Sequence, residues 1–323
     1  MFKFPVGIQL FNRPDYSRQM LESIQKQTLP VNTEKLYIFI DGFRGSIYEN
    51  DGANDLTEQV ELVSRQIFPT ATIVRHKKNL GMANLRNQLQ SAAFSGSDTW
   101  AAFFEEDIVL DMSYLQELSD LITIAGPHPM VSKVSCFQIQ DASRKLIRGI
   151  NGFYPGKGTQ AIAERKTFFL AKQAIMNTYI SLISNDLGKY SQFKDLDKAA
   201  VMANQGLLMT YLQHDSLEEQ LLNSMGQVHV VTKPNLATDI GIEGVHNYTT
   251  SPILFTGQSM NESIVEKRRH FEIQLDLVLK ESVENNIRYF KEILFAYHLT
   301  RSRKLLLKQL VRNLYLKKDN RRA

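Results

Sequence analysis

Short apolar runs alternate with amphipathic stretches through the first part of the chain. One run, "KLYIFIDG", is nearly continuously apolar, as a parallel strand buried on both faces should be. Between the runs, apolar residues recur at helical spacing, and Pro14 and Asp15 suit the first turn of the first helix. The predicted strands lie at 4–11, 35–42, 70–76 and 99–104. This alternation predicts an α/β fold with a Rossmann-like, doubly wound, mostly parallel sheet flanked by helices.

The alternation becomes less regular after residue 125. A strand is predicted at 133–139, a mobile Gly/Pro-rich loop at 148–160, mostly helix from 165 to 225, and a strand at 227–231. Helical spacing then continues from 259 to 318. We therefore expect one α/β domain at 1–250, with halves 1–125 and 126–250, and a helical, basic C-terminal extension at 251–323.

Polar residues follow each of the first four predicted strands. Ligands of doubly wound sheets bind beyond the carboxyl ends of the strands. Since parallel strands end at the same edge, these residues predict a binding site there. They are Asn12 and Arg13, then Asp41 and Gly42, then residues 76–81, and finally Glu105, Glu106 and Asp107.

The three adjacent carboxylates after the fourth strand need either a cation or protonation to coexist at neutral pH. Mg²⁺ and Mn²⁺ accept carboxylate oxygens together with substrate phosphates. Because side chains alternate along an extended chain, Glu105 and Asp107 are expected to share one face while Glu106 points elsewhere. The alternative is a solvated loop whose acids cap the helix that begins near Ser113.

The composition excludes several classes of protein. A single cysteine, Cys136, excludes an internal disulfide framework and a cysteine-based zinc site, and it suits a reducing compartment. The N-terminal residues show no secretory signal pattern, and no run approaches the ~20 apolar residues of a transmembrane helix. We therefore expect a cytoplasmic protein.

Several ordered motifs in residues 4–250 resemble the nucleotide-sugar-dependent glycosyltransferases of the GT-A fold, especially the large family 2. "VGIQLFNRPDYSRQMLESIQ" is similar to the family's opening strand and helix, and "FIDGFRG" stands at its second strand. "NLGMANLRNQ" resembles its N-x-G…R-N segment, and "FFEEDIVLD" stands at its metal motif. "KPNLATDIGIEGVHNYT" is similar to a later stretch in bacterial members. Eukaryotic N-acetylglucosaminyltransferases acting on mannose show a similar acidic triplet.

The resemblance implies an inverting, metal-dependent transfer of a sugar from a nucleoside diphosphate, with UDP favoured, to a hydroxyl of a glycan or lipid-linked acceptor. Surface polysaccharide biosynthesis is the implied setting. Residues 1–125 would be the nucleotide-binding half and 126–250 the acceptor half. The implied donor-binding residues are Phe11, Asn12, Arg13, Asp41, Asn79, Gly81, Arg86 and Glu106. Glu105, Asp107 and the loop histidine His246 would hold Mn²⁺ or Mg²⁺.

Two departures from the family pattern affect these expectations. The first metal-motif position is Glu105 rather than aspartate, a longer arm that shifts the ion or passes its duty to Asp107. The W-G-W segment of many bacterial relatives is absent, and "GKGTQAIAERKTFFL" stands near its place. Acceptor recognition is therefore not carried over.

Direct displacement needs a carboxylate to remove the acceptor's proton. The segment "YLQHDSLEEQLLNSMG" precedes a short strand, as the family's base-bearing segment does, and we take Asp215 as the base. Glu218 and Glu219 are the reserves. An ordinary helix N-cap is the alternative role for Asp215, and a solvated loop residue is the alternative for His246. Lys233 is a weaker diphosphate ligand.

Residues 301–323 carry nine Lys or Arg against one Asp, so the remaining chain has a net charge of −4. Leucines at helical spacing beside a basic row suit the anionic face of a membrane, where lipid-linked acceptors lie. Docking of this helix on its own domain is the equal alternative. The acidic body argues against nucleic acid as a partner.

Two other functions stay open. A nucleotidyltransferase shares acids at strand ends but would need a glycine-rich phosphate loop after the first strand, and "FNRPDYS" offers none. A non-catalytic sugar-nucleotide-binding protein could keep the fold without the chemistry. The chain has no G-x-G-x-x-G fingerprint and no phosphate-binding P-loop, which argues against a nicotinamide enzyme and a P-loop NTPase.

Overall fold

The computed structural model describes residues 1–50, 52–137, 153–155, 159–183, 201–202, 207, 214–232, 235–241, 263–268 and 271. The strands are β1 Val6–Leu10, β2 Leu36–Ile40, β3 Thr72–Arg75, β4 Trp100–Glu105, β5 Ile108–Leu110, β6 Val131–Ser135, β7 Phe153–Pro155, β8 Ala161–Arg165, β9 Val228–Thr232 and β10 Ala237–Asp239. The helices are α1 Pro14–Gln25, α2 Ile47–Asn50, α3 Thr57–Ile67, α4 Met82–Ala93, α5 Tyr114–Ala125, α6 Lys166–Ile183 and α7 His214–Ser224.

Eight of the described strands form one sheet in the order β3-β2-β1-β4-β8-β6-β9-β7. The first four in that order pair in parallel, and β6 also runs parallel to β9. The strand β8 lies antiparallel between β4 and β6. The predicted α/β architecture, a mostly parallel sheet flanked by helices, is therefore confirmed.

The central strands bury both faces, which explains their continuous apolar runs. In β4, Trp100, Ala102 and Phe104 join a core that also contains apolar residues of α1, α3 and α5. The alternate residues Ala101 and Phe103 join a second core with α4 and α6. The side chains thus follow the period of two that a strand imposes, and helices cover both sides of the sheet.

The strand β1 accommodates α4 through a glycine. A Cβ on Gly7 would lie 2.8 Å from a ring atom of Phe103 and 2.9 Å from Leu89, so a larger residue would push this helix away from the sheet. The α4 helix begins at the carboxyl edge of the sheet, so Gly7 allows this edge and the helix to lie close together.

The structure differs from the sequence-based prediction in its short strands. The sequence did not predict β5, β8 and β10, and β7 lies inside the predicted loop at 148–160. All four take their partners from distant parts of the chain, which a local pattern does not reveal. In the proposed extension, only residues 263–268 and 271 are described. Among the described residues, no helix combines the length and apolarity needed to cross a bilayer.

Candidate active site

The carboxyl ends of β1, β2 and β4 bring three of the predicted polar segments to one edge. Leu10 pairs with Ile40, and Gln9 pairs with Glu105, so the residues that follow each strand are neighbours. The N-terminus of α4 opens at the same edge. The residues that follow β1, β2 and β4 thus lie together at one edge of the sheet, as the sequence predicts.

Asp41 is buried at this edge, where its carboxylate binds backbone N–H groups. Its Oδ1 accepts hydrogen bonds from the backbone N–H groups of Gly42 (2.9 Å) and Leu80 (2.7 Å), and its Oδ2 accepts from Gly81 (3.1 Å). Burial raises the pKa of Asp41 to about 6, against the three N–H donors that lower it. The carboxylate therefore ties the end of β2 to the first turn of α4.

The loop before α4 lies close against the turn after β2. Asn79 donates from Nδ2 to the carbonyl of Gly42 at 2.9 Å. A Cβ at Gly42 would lie 2.3 Å from the backbone of Lys78, so only glycine allows this approach. Gly81 has φ of +75°, which favours glycine, and it begins α4. Asn79 and Gly81, two of the expected donor-binding residues, thus shape the loop that follows β3.

Phe11 and Asn12 connect β1 to the segment that follows β2. The Phe11 ring lies 5.5 Å from the ring of Tyr48. Asn12 accepts a hydrogen bond from the N–H of Leu56 at 2.6 Å and donates to the carbonyl of Asn54 at 2.8 Å. The segment after β2 is therefore attached to the end of β1, and an aromatic pair lies at this edge.

Arg13 is held by two of the three adjacent carboxylates. Its Nε donates to Glu106 at 2.6 Å and its Nη2 donates to Asp107 at 2.9 Å. Glu106 also accepts the N–H of Phe11 at 3.0 Å. Burial lowers the pKa of Arg13, but Glu106 and Asp107 outweigh it, so the net shift is upward. Contrary to the simple alternation expected, Glu106 and Asp107 thus share a partner, because the chain turns between β4 and β5.

Asp239 joins Glu105 and Asp107 from a distant part of the sequence; we call these three residues the strand-end carboxylates. The strand β10 pairs with β5, with Asp239 opposite Ile108. Burial and the charges of Asp215 and Asp107, opposed by Arg86, together raise the pKa of Glu105 to about 8. Burial also raises the pKa of Asp239, and Asp107 contributes. The negative charge of each of these carboxylates is therefore disfavoured by the others.

Arg86 and Asp215 meet through a residue that the sequence did not single out. Arg86 is 1% exposed, and its Nη2 donates to the carbonyl of Thr159 at 3.0 Å. The hydroxyl of Thr159 donates to Asp215 at 2.5 Å. Among the described residues, Nε and Nη1 of Arg86 have no hydrogen-bond partner. Burial lowers the pKa of Arg86, and carboxylates including Glu105 and Asp215 oppose that shift. A buried cation with unused donors is thus placed beside an exposed carboxylate.

The strand-end carboxylates fit a hard divalent cation only in part. Their oxygens are the donors that Mg²⁺ and Mn²⁺ prefer, and Oδ1 of Asp107 is buried without a hydrogen-bond partner among the described residues. Within those same residues, no three His, Cys, Asp or Glu side chains are grouped so that they could hold a metal by themselves. Mg²⁺ usually uses one or two carboxylates and completes its shell with water and substrate phosphates. The donor set therefore suits an ion that binds together with a diphosphate.

Of the remaining predicted residues, His246 and Lys233 lie outside the described residues. Glu218, a reserve base, is 2% exposed and paired with lysines, whereas Glu219 is exposed. The sequence did not identify Asp239 or Thr159 as site residues. Asp239 lies in a quoted motif and follows a short apolar stretch, which was a usable signal. Thr159 offered none.

No protein-family model matches the chain. A search of curated proteins finds 30% identity over 138 residues to the "Putative pre-16S rRNA nuclease" of Karelsulcia muelleri (strain GWSS). By sequence, this part of the chain groups with that protein's family. The aligned residues make up 93% of the nuclease but 43% of this chain, so most of the molecule lies outside the match.

Among solved structures, the chain is similar to S. aureus TarS. The crystal structure of TarS 1–349 in complex with UDP has a TM-score of 0.41 and 13% identity, covering 68% of this chain and 70% of that one. The complex of TarS 1–349 with UDP-GlcNAc has a TM-score of 0.39 and 10% identity, covering 68% and 71%. At these values the likeness is partial.

Proposed function

We propose that the protein is a nucleotide-sugar-dependent glycosyltransferase that inverts the anomeric centre and needs a divalent metal. One observation carries the proposal. The strand-end carboxylates lie at the same sheet edge as Arg86 and Asp215. Arg86 is buried, and two of its donors have no hydrogen-bond partner among the described residues, whereas Asp215 is exposed. A diphosphate needs cations, and an acceptor hydroxyl needs a base. At this edge Arg86 and a metal held by the strand-end carboxylates could bind the diphosphate, and Asp215 could act as the base.

In the proposed reaction, Nε and Nη1 of Arg86 bind the donor's diphosphate or sugar. Glu105, Asp107 and Asp239 would offer oxygen ligands to Mn²⁺ or Mg²⁺ bound together with the diphosphate, and the ion would supply Lewis-acid stabilisation of the leaving group. Asp215 accepts the proton of the acceptor hydroxyl as the new C1–O bond forms and the C1–O bond to the diphosphate breaks. Asp41, Gly42 and Asn79 keep the loop before α4 in place.

The substrates and location follow from the same proposal. The donor is a UDP-sugar, and the acceptor is a glycan or a lipid-linked glycan, which places the reaction at the cytoplasmic face of a membrane. The basic residues 301–323 provide the membrane contact in this proposal, and His246 is a further metal ligand. The setting is surface polysaccharide biosynthesis.

Product analysis provides the first test of the activity. UDP-, GDP- and dTDP-sugars are incubated with the protein, Mn²⁺ and a membrane extract, and the released nucleotide and the labelled product are quantified. A glycosyltransferase releases a nucleoside diphosphate, whereas a nucleotidyltransferase acting on a nucleoside triphosphate releases pyrophosphate. Asp215→Asn is expected to lower kcat by about 10²–10⁴-fold, and Glu219→Gln on the same helix to keep it. Retention of kcat by Asp215→Asn would exclude Asp215 as the base.

A nuclease is the second candidate, because the sequence match to a protein of that name favours it. It makes RNA the first alternative substrate to examine, against the expectation of no nucleic-acid partner. Incubation with a precursor 16S rRNA fragment and Mg²⁺ or Mn²⁺ provides the test. Cleavage that Asp107→Asn removes, without release of UDP from any donor, would favour the nuclease over the transferase.

A further inference from the structure

Two lysines and two glutamates lie buried near Arg86, apart from the strand-end carboxylates. Lys172 Nζ lies 2.9 Å from Glu164 and 2.5 Å from Glu218, and Lys133 Nζ lies 2.5 Å from Glu218. All four side chains are 0–3% exposed. Both ammonium groups also lie over the Phe168 ring, at 5.4 and 5.1 Å from its centre. We call Lys133, Glu164, Lys172 and Glu218 the buried network.

The buried network connects elements that come from distant parts of the sequence. Lys133 lies in β6, Glu164 in β8, Lys172 in α6 and Glu218 in α7. The helix α4 also takes part, because Gln90 donates to Glu164 at 3.2 Å. Two lysines and two glutamates balance in charge, so each glutamate is neutralised within the protein.

The buried network also lies directly behind the two chemical groups of the proposed site. Gln90 is four residues after Arg86 on α4, and Glu218 is three residues after Asp215 on α7. Residues at these spacings share a helix face. A contact that fixes Gln90 or Glu218 therefore limits the rotation of the turn that carries Arg86 or Asp215.

Buried ion pairs are weak evidence for stability, because the loss of hydration offsets much of their attraction. A role in fixing one arrangement of packed elements is better supported for such groups. Here α7 contributes Asp215 to the site, and Glu218 holds this helix to both lysines. Among the described residues, the Asp215 side chain accepts a hydrogen bond from Thr159, and its direction also depends on the position of the helix.

We propose that Glu218, held by Lys133 and Lys172, is a positioning residue that sets the direction of the Asp215 carboxylate relative to Arg86. This inference rests on the proposed function. The residue acts through α7 and touches neither donor nor acceptor. Its loss is therefore expected to lower kcat while donor binding is retained.

Two double variants form a matched pair for the test. Lys133→Met/Glu218→Gln removes one positive and one negative charge, and with them the ion pairs that join α7 to the two lysines. Lys172→Met/Glu164→Gln also removes one of each, but it leaves the Lys133–Glu218 contact in place. The first is expected to lower kcat about 10–100-fold with donor KM within about threefold. The second is expected to lower kcat by a smaller factor, because Lys133 still holds Glu218. Amide exchange is expected to rise in the second turn of α7, whose N–H groups are bonded within the helix, and to rise mainly in the first variant.

Four outcomes decide the inference. Equal losses of kcat in both double variants, or a first variant with wild-type kcat and wild-type protection of α7, would overturn it. If the wild-type protein turns over no donor, the proposed function fails, and the exchange difference between the variants still decides the positioning of α7. If the neutral pairs do not fold, Glu218→Asp keeps the charge on a shorter arm, and wild-type kcat in that variant would also overturn the inference.

Discussion

The strand-end carboxylates and the buried network both contain acids whose charge acts on Arg86, and the two sets differ in how the charge of their acids is compensated. In the network, burial raises the pKa of Glu218, but Lys133 and Lys172 outweigh it and hold the pKa well below its ordinary range. At the strand ends, burial and neighbouring acids together raise the pKa of Glu105 to about 8.

This difference separates a complete arrangement from an incomplete one. The network has its counterions inside the protein, so it can hold helices together without a ligand. The strand-end group is paired with Arg13 only through Asp107 among the described residues, and a cation from solution would favour the charged forms of Glu105 and Asp239, whose pKa values are raised. Perturbed acids of the second kind are typical of functional sites.

The largest expected effect comes from removing one charge of the buried network. Lys172→Met removes the 2.9 Å partner of Glu164 and leaves it the longer 3.8 Å contact with Lys133, so it is expected to lower the free energy of unfolding by about 3–5 kcal/mol. Asp239→Asn removes repulsion among the strand-end carboxylates and is expected to leave that free energy unchanged or raise it. Urea unfolding at pH 7 measures both.

Lys166→Met serves as the control for that comparison, since Lys166 is on the same helix with an exposed contact to the carbonyl of Gly96. A change within about 0.5 kcal/mol is expected there. If Lys172→Met were as mild as Lys166→Met, the distinction between the two groups of acids would be wrong.

The stabilisation of the protein by Mn²⁺ and UDP tests whether the strand-end carboxylates bind an ion. With Mn²⁺ and UDP at about 100 times their dissociation constant, the wild-type protein is expected to gain about 2.7 kcal/mol of stability. Asp107→Asn should lose most of this gain because it removes an anionic oxygen ligand. Thermal shift with each component alone and with both provides the measurement.

Asp98→Asn is the matched control for the ligand experiment. Asp98 precedes β4 at its other end, where it pairs with Lys35 at 2.9 Å. This variant should keep the full shift. A shift in Asp107→Asn equal to that of Asp98→Asn would mean that any ion binds elsewhere.

The pH dependence of stability should have opposite signs in the two groups. Between the ordinary value of 4.5 and about 8, Glu105 keeps its proton in the folded state and loses it in the unfolded state. The free energy of unfolding therefore falls as pH rises through this window, and Glu105→Gln should flatten that fall. The contribution of Glu218 is complete above its ordinary pKa and is lost as pH falls. Urea unfolding of the wild-type protein and of Glu105→Gln from pH 4 to 8, without divalent ions, measures how the free energy of unfolding changes with pH. An unchanged slope in Glu105→Gln would contradict the raised pKa of Glu105.

The smallest effect is expected where a carboxylate is paired at the surface. Glu61 contacts Arg65 at 2.8 Å and Arg75 at 2.7 Å, in a solvent-exposed setting. Glu61→Gln should cost less than about 1 kcal/mol, and the cost should fall further in high salt because water and ions screen the pair. Unfolding with and without 1 M salt measures this. If Glu61→Gln lowered the free energy of unfolding as much as Lys172→Met, then pairing rather than burial would account for the large effect of Lys172→Met.

The contribution of the sequence to these conclusions differs between the two groups. Glu105, Glu106 and Asp107 follow a buried strand, so their position at the sheet edge was predictable from the apolar period. The buried network was not predictable, because Lys133, Glu164 and Lys172 lie in stretches with no unusual pattern. The sequence makes Glu218 a reserve base, whereas its buried contacts with Lys133 and Lys172 favour the positioning role proposed for it.

Asp239 and Thr159 illustrate the same limit within the site. Asp239 reaches Asp107 because β10 pairs with β5, and Thr159 links Arg86 to Asp215 across three separate segments. Such pairings depend on which distant segments the fold brings into contact. A local pattern of polar and apolar residues contains no record of that choice.

The sequence by itself determined the alternating strands and helices, the edge at which polar residues gather, and the kinds of side chain available there. These follow from periods of two and 3.6 residues, which are local properties of the chain. Only the tertiary structure decided which acids are neutralised inside the protein and which are not. Charge compensation depends on distances between groups, and those distances exist only once the chain has folded.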